Sequence, residues 1–167
     1  MEFRITNKIH LKLLGIAIVF SIIFYDYLNS ILFNFFKESI NIFNYSITLS
    51  FIFLTISMVI MIILHELIHG LSYTLFGGKV KYSFKFVYAA TEEVTNKKVS
   101  INQFAIVLLA PVTIISILSL LLPSFLGSTV FICNLLGSIG DLYMAIGLIR
   151  YPLDSKIIDT AYGYKVI

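Results

Sequence analysis

Charge is scarce in this chain. Of its 167 residues only 13% are Asp, Glu, Lys or Arg, and 59% are hydrophobic. A soluble domain carries about 25% charged residues, so the deficit excludes a free-standing soluble protein and marks a membrane protein. The Lys residues do not alternate with exposed aromatics, which excludes a nucleic-acid groove and leaves nucleic acid out as a partner. Cysteine is nearly absent. Cys133 stands alone, so no internal disulfide can form, and in an apolar helix it reads as a small core residue. Internal repeats and low-complexity segments are missing as well. The length leaves no room for a membrane region plus a large soluble module, so residues 1–167 read as a single integral membrane domain. Arg4, Lys8 and Lys12 precede 13-LLGIAIVFSIIFY-25 as in a signal peptide, but no small-x-small cleavage site follows, which predicts an uncleaved first span.

What the chain has in quantity is apolar length. At about 20 residues per crossing, four stretches qualify, at about 11–33, 47–76, 101–122 and 129–149. The 15 Phe and 10 Tyr read mainly as lipid-facing and interfacial anchors, and Asp26, among Phe24, Tyr25 and Tyr27, reads as an interfacial carboxylate. Positive residues gather at the N-terminus, in the second loop (Lys79, Lys81, Lys85, Lys97, Lys98) and in the tail (Arg150, Lys156, Lys165). In a four-span topology these are one side of the bilayer. The positive-inside rule predicts both termini, the loop 77–100 and the tail 150–167 on the cytosolic side of the cell membrane. The expected fold class is an all-α membrane protein of four transmembrane helices, with a short cytoplasmic β-hairpin-like loop between helices 2 and 3.

That loop has its own pattern. In 80-VKYSFKFVY-88, Val80, Tyr82, Phe84, Phe86 and Tyr88 share one face while Lys81, Ser83 and Lys85 share the other, which is the period of a strand. The stretch 91-TEEVTNKKVS-100 is expected to turn and return. Pro111, in the middle of the third apolar stretch, is expected to kink it.

The second apolar stretch holds 61-MIILHELIHGLS-72, with a Glu and two of the chain's three His among Ile, Leu and Met. Chance would produce H-E-x-x-H in a chain this long on the order of a few times in a thousand. A polar group at that depth costs about 2.5 kcal/mol or more without a function or a partner. On a helix His65 and His69, four apart, share a face and can both reach one metal ion. Glu66 lies about 100° round, too far to be a third ligand in the same plane. Zinc with three protein ligands keeps a position for water and lowers its pKa to about 7. Glu66 would take that water's proton and later deliver it to the leaving amine.

A third ligand is needed, and Asp141 is the best candidate. Asn134, Gly137, Ser138 and Asp141 follow i, i+3, i+4, i+7, one narrow polar or small face of the fourth stretch. Asp141 lies nine residues before Arg150, and His69 eight before Gly77, so the two groups sit at similar depth. Glu92 and Glu93 are the fallback ligands, although both look like solvated loop charges. Asn134 is expected to hold a substrate carbonyl or steady an oxyanion, with a plain interhelical hydrogen bond as the alternative. Ser72, one turn after His69, reads as a packing residue rather than a nucleophile.

With 65-HELIHG-70, 110-AP-111, 134-NLLGSIGD-141 and 159-DTAYGYKVI-167 in order, the chain resembles the small bacterial integral-membrane zincin peptidases, relatives of the site-2 protease group of intramembrane metalloproteases. The resemblance implies zinc as cofactor, one ion held by His65, His69 and Asp141, with Glu66 as catalytic base and Asn134 as a substrate-binding group. It departs from the site-2 pattern where Asp141 is followed by Leu142 instead of Gly. The implied activity is hydrolysis of a peptide bond near the cytosolic face, in a peptide or membrane-protein substrate, with the lipid bilayer as surroundings. An extended substrate could pair with the loop strand at 80–88, placing Tyr82, Phe84 and Phe86 as substrate contacts. The alternative is a non-proteolytic membrane accessory or scaffold protein retaining a structural metal site, and Glu66→Gln separates the two.

Overall fold

The computed structural model describes residues 2–85, 88–160 and 163–167. Its longest helix is α3, Ile47–Leu75, 29 residues. At about 1.5 Å per residue that is about 43 Å, longer than the about 30 Å of a hydrocarbon core. It begins at Ser46, whose Oγ accepts the Leu49 N–H at 3.4 Å. α4, Ile101–Ser119, begins with a capping box in which Ser100 Oγ accepts from Gln103 N and Gln103 Oε1 accepts from Ser100 N. It continues as one element through Pro111.

The first and fourth apolar stretches are not straight. α1, Asn7–Ile23, and α2, Tyr25–Ile42, meet at 80°, so the expected single span at 11–33 is broken at Phe24. Asp26 lies in the first turn of α2, where the helix dipole favours a carboxylate. α5, Ser124–Gly137, and α6, Ile139–Leu148, meet at 51° across Ser138, dividing the expected span at 129–149. Among the described residues α3 and α4 are each long and apolar enough to cross a membrane, and the number rises to four if each bent pair is one span.

The structure is mostly helical, but it is not all-α. Besides the hairpin of β2, Val80–Lys85, and β3, Tyr88–Glu93, it carries a four-stranded antiparallel sheet. That sheet joins β1 (Glu2–Arg4), β6 (Gly163–Val166), β5 (Lys156–Thr160) and β4 (Val99–Ser100) in the order β1-β6-β5-β4. The N-terminus, the end of the second loop and the tail therefore meet. Gly163, at φ +148°, lets the Phe3 carbonyl approach where any Cβ would collide. The return strand of the hairpin is β3 rather than 91–100, and Tyr88 belongs to it, paired with Lys85.

The buried core lies where helix ends meet the sheet: Tyr73, Phe104, Val107 and Leu148 pack against Ile157 and Tyr164. Away from it the helices present Ile, Leu, Val and Phe outward, Leu11 and Ile22 of α1 among the most exposed. That distribution suits a lipid surround and inverts that of a soluble domain.

Candidate metal centre

His65, Glu66 and His69 are all buried on α3. Asp141 comes from the first turn of α6, which the break at Ser138 creates. At the break Ser138 Oγ and Ser138 N both donate to the Asn134 carbonyl, each at distances of 2.8 to 2.9 Å. A carboxylate in a first turn faces the positive end of the helix dipole.

The three ligand atoms converge. His65 Nε2 is 3.1 Å from Asp141 Oδ2, His69 Nε2 is 3.4 Å from the same oxygen, and the two Nε2 atoms are 3.2 Å apart. The other ring nitrogens decide the tautomers. His65 Nδ1 lies 3.1 Å from Asn134 Oδ1, and His69 Nδ1 lies 2.8 Å from the Val107 carbonyl. Both partners can only accept, so each Nδ1 carries the proton and each Nε2 presents a lone pair. Lone pairs crowded so closely repel one another unless a cation lies between them. Ligands on tetrahedral zinc at 2.0–2.1 Å stand about 3.3 Å from one another, and two imidazoles with a carboxylate are a familiar zinc set. The residues fit the metal. Among the described residues, His65, His69 and Asp141 could hold one ion.

Glu66 stays outside this cluster and lines the same cavity of about 600 Å³, together with His10, Tyr73, Thr91 and Asp159. Thr91 Oγ1 lies 2.8 Å from Glu66 Oε2 and 3.0 Å from the Glu66 main-chain oxygen, two acceptors for one proton. The hairpin is thus fastened to the helix turn that carries the motif. A second fastening is Tyr82, whose hydroxyl and ring pass so close over Gly70 that a Cβ there would collide with them.

The remaining sequence expectations fare differently. Asn134 is fully buried and outside the cavity wall, and of its two expected roles the structure shows the interhelical hydrogen bond: its side chain meets His65, with Nδ2 facing the Val112 carbonyl at 3.5 Å. The cavity is bordered by Ala90, Thr91 and Glu92 of β3, so Tyr82 on β2 lies on the farther strand. Phe84 is placed only by its backbone, paired with Ala89, and Phe86 lies outside the described residues. Glu92 lines the cavity but is not part of the ligand cluster. Glu93 is no solvated charge. It is buried and accepts from Lys79 N, Thr95 N, Thr95 Oγ1 and Lys97 N, organising the turn after β3. Burial alone would raise its pKa, but these hydrogen bonds hold it below the ordinary value. Ser72 donates back to the Ile68 carbonyl, as a packing residue does.

Residues 58–156 match the model of a family described as "putative zincin peptidase". The chain belongs to that family. The matched segment holds every residue of the candidate site named so far except His10 and Asp159. The family's description implies zinc, in keeping with the donor set. No curated protein and no solved structure matches the chain.

Sequence reasoning did not find Thr91, the Val107 carbonyl or the Tyr73–Asp159 corner of the cavity. Asp159 accepts the Glu93 N–H at 3.2 Å. Burial pushes its carboxyl up to about 6 against the hydrogen bonds from Glu93, Tyr73 and Thr160. None of these has a local signature, because each acts across at least 25 residues of chain.

Proposed function

We propose that the protein is a membrane-embedded zinc metallopeptidase of the site-2 protease kind, hydrolysing a peptide bond of a peptide or membrane-protein substrate near the cytosolic face of the cell membrane. The observation that carries this reading is the meeting of His65, His69 and Asp141 beside Glu66 at one cavity. His65 Nε2, His69 Nε2 and Asp141 Oδ2 would hold one zinc ion. When bound, the ion supplies Lewis acidity that polarises a carbonyl and acidifies water.

Glu66 does the proton work. Its carboxylate accepts a proton from the attacking water as the water oxygen bonds to the carbonyl carbon, and the C–N bond breaks as that proton passes to the amine nitrogen. Thr91, donating to Oε2, leaves Oε1 free to carry the proton. Asn134 and Val107 hold the imidazoles in the tautomer that binding requires. The substrate segment lies extended along β3, the strand that borders the cavity. The cationic N-terminus, second loop and tail, gathered around one sheet, support the cytosolic assignment of that end.

The test is metal content and cleavage on purified protein. Wild type should hold one zinc per chain, His65→Ala and Asp141→Ala should lose it, and Glu66→Gln should keep zinc and lose cleavage. Wild-type protein without stoichiometric metal would overturn the proposal, and full cleavage by Glu66→Gln would remove Glu66 as the base.

A further inference from the structure

α4 contains a proline where a helix least tolerates one. Pro111 is fully buried in the middle of Ile101–Ser119. In a helix the N–H of residue 111 would bond to the carbonyl of residue 107, and proline has no N–H to give. A proline ring in a helix also crowds that same carbonyl. The residue four before Pro111 is Val107, and the Val107 carbonyl is the acceptor that lies 2.8 Å from His69 Nδ1. Val107 is 1% exposed, so no solvent is at hand to satisfy the orphaned oxygen. A buried carbonyl without a donor is costly, and here the imidazole N–H supplies the missing bond from a neighbouring helix.

We infer that Pro111 is a positioning residue for metal binding: by withholding an N–H it frees the Val107 carbonyl to take the His69 Nδ1 proton, which fixes the tautomer and turns Nε2 toward His65 and Asp141. The inference rests on the metal-site reading above and extends it to a residue that touches neither metal nor substrate. The defect in α4 and the orientation of a ligand on α3 are one feature. Asn134 performs the matching duty for His65 through its side chain. For His69 the backbone of α4 does so, and because residue 111 has no N–H the Val107 carbonyl is not shared with its own helix.

Pro111→Ala restores the N–H and should return the Val107 carbonyl to its own helix. Zinc affinity, measured by competition with a chromophoric chelator, should weaken about 10- to 100-fold, the usual consequence of losing a ligand's outer partner. The visible spectrum of the cobalt-substituted protein should change with it. Replacing residue 111 by lactic acid, through nonsense suppression, also removes the proline ring but offers no N–H. Its affinity and cobalt spectrum should stay near wild type. Equal affinity in wild type and Pro111→Ala would overturn the inference, and so would equal weakening by alanine and lactate, which would assign the effect to ring packing. A Pro111→Ala chain that fails to fold leaves the lactate variant to decide: lost affinity there also overturns it. Wild type that binds no zinc would fail the proposed function itself, whereas zinc-loaded wild type with an indifferent Pro111→Ala fails this inference alone.

Discussion

Gly70→Ala is a sharp test of how the hairpin is held to α3. Replacing a helix-interior glycine by alanine should stabilise a helix by about 1 kcal/mol through backbone entropy. At Gly70 the new Cβ would lie 2.6 Å from Tyr82 Cζ and 2.8 Å from Tyr82 Cε1, with the hydroxyl closer still, so the ring must leave. Overpacking of this kind costs about 1–3 kcal/mol. Tyr82 is 38% exposed and can swing outward, which puts the cost in the lower half of that range and leaves the single variant near neutral. In a Tyr82→Ala background the collision is gone and Gly70→Ala should gain the full 1 kcal/mol or so. The coupling between the two sites is therefore about 1–2 kcal/mol, read from melting temperatures of the four proteins in detergent at about 2–4 °C per kcal/mol. Hydrogen exchange at the Thr91 amide should accelerate in Gly70→Ala alone, because lifting Tyr82 loosens the strand that donates to Glu66. An equal rise in melting temperature in both backgrounds would refute the close approach.

Three further outcomes follow from the site. Thr91→Val keeps the volume and removes the donor to Glu66 Oε2, so turnover should fall about tenfold, a loss of about 1.4 kcal/mol, with zinc content unchanged; unchanged turnover would release Thr91 from the mechanism. Asp159, pushed up to about 6 from an ordinary 3.8, binds a proton in the native state that the unfolded chain releases. Its contribution to stability is present below about pH 4 and lost as pH rises through 6. Asp159→Asn should therefore be the more resistant protein at pH 7 relative to its own value at pH 5, and parallel pH profiles would contradict this. Stripping zinc with a chelator should lower the melting temperature, since at 1,000 times Kd a ligand adds about 4 kcal/mol to the native state; no change would mean the site is unused.

The helices and the motif were legible because both are local. Apolar length marked α3 and α4, and spacing by four put His65 and His69 on one face. Asp141 emerged from depth and from the run of small residues before it. The hairpin showed as alternation in 80–85. The four-stranded sheet was hidden because β1 has three residues and β4 two, too short to display a period, and each pairs with the far end of the chain. The breaks at Phe24 and Ser138 were hidden because neither residue is a helix breaker by composition. Glu93 was misjudged as solvated because the donors that bury it, Lys79, Thr95 and Lys97, surround it only once the hairpin has formed.

The hidden sheet explains why the legible residues meet. β4 runs directly into α4, β1 precedes α1, and β5 follows α6, so the order β1-β6-β5-β4 fixes one end of three helices in a single plane. α3 is tied to the same end by Tyr73, packed in the core beside Phe104 and held at Asp159. From that end the distances match. Asp141 lies seven residues before the end of α6 at Leu148, His69 six before the end of α3 at Leu75, and Val107 six beyond the start of α4 at Ile101. At about 1.5 Å per residue each group stands about 10 Å from the sheet end, at one level. Slipping any of these helices by a turn, about 5.4 Å, would part a ligand from its partner. The short strands therefore set the register of the metal centre, although none of them contributes to the cluster of His65, His69 and Asp141.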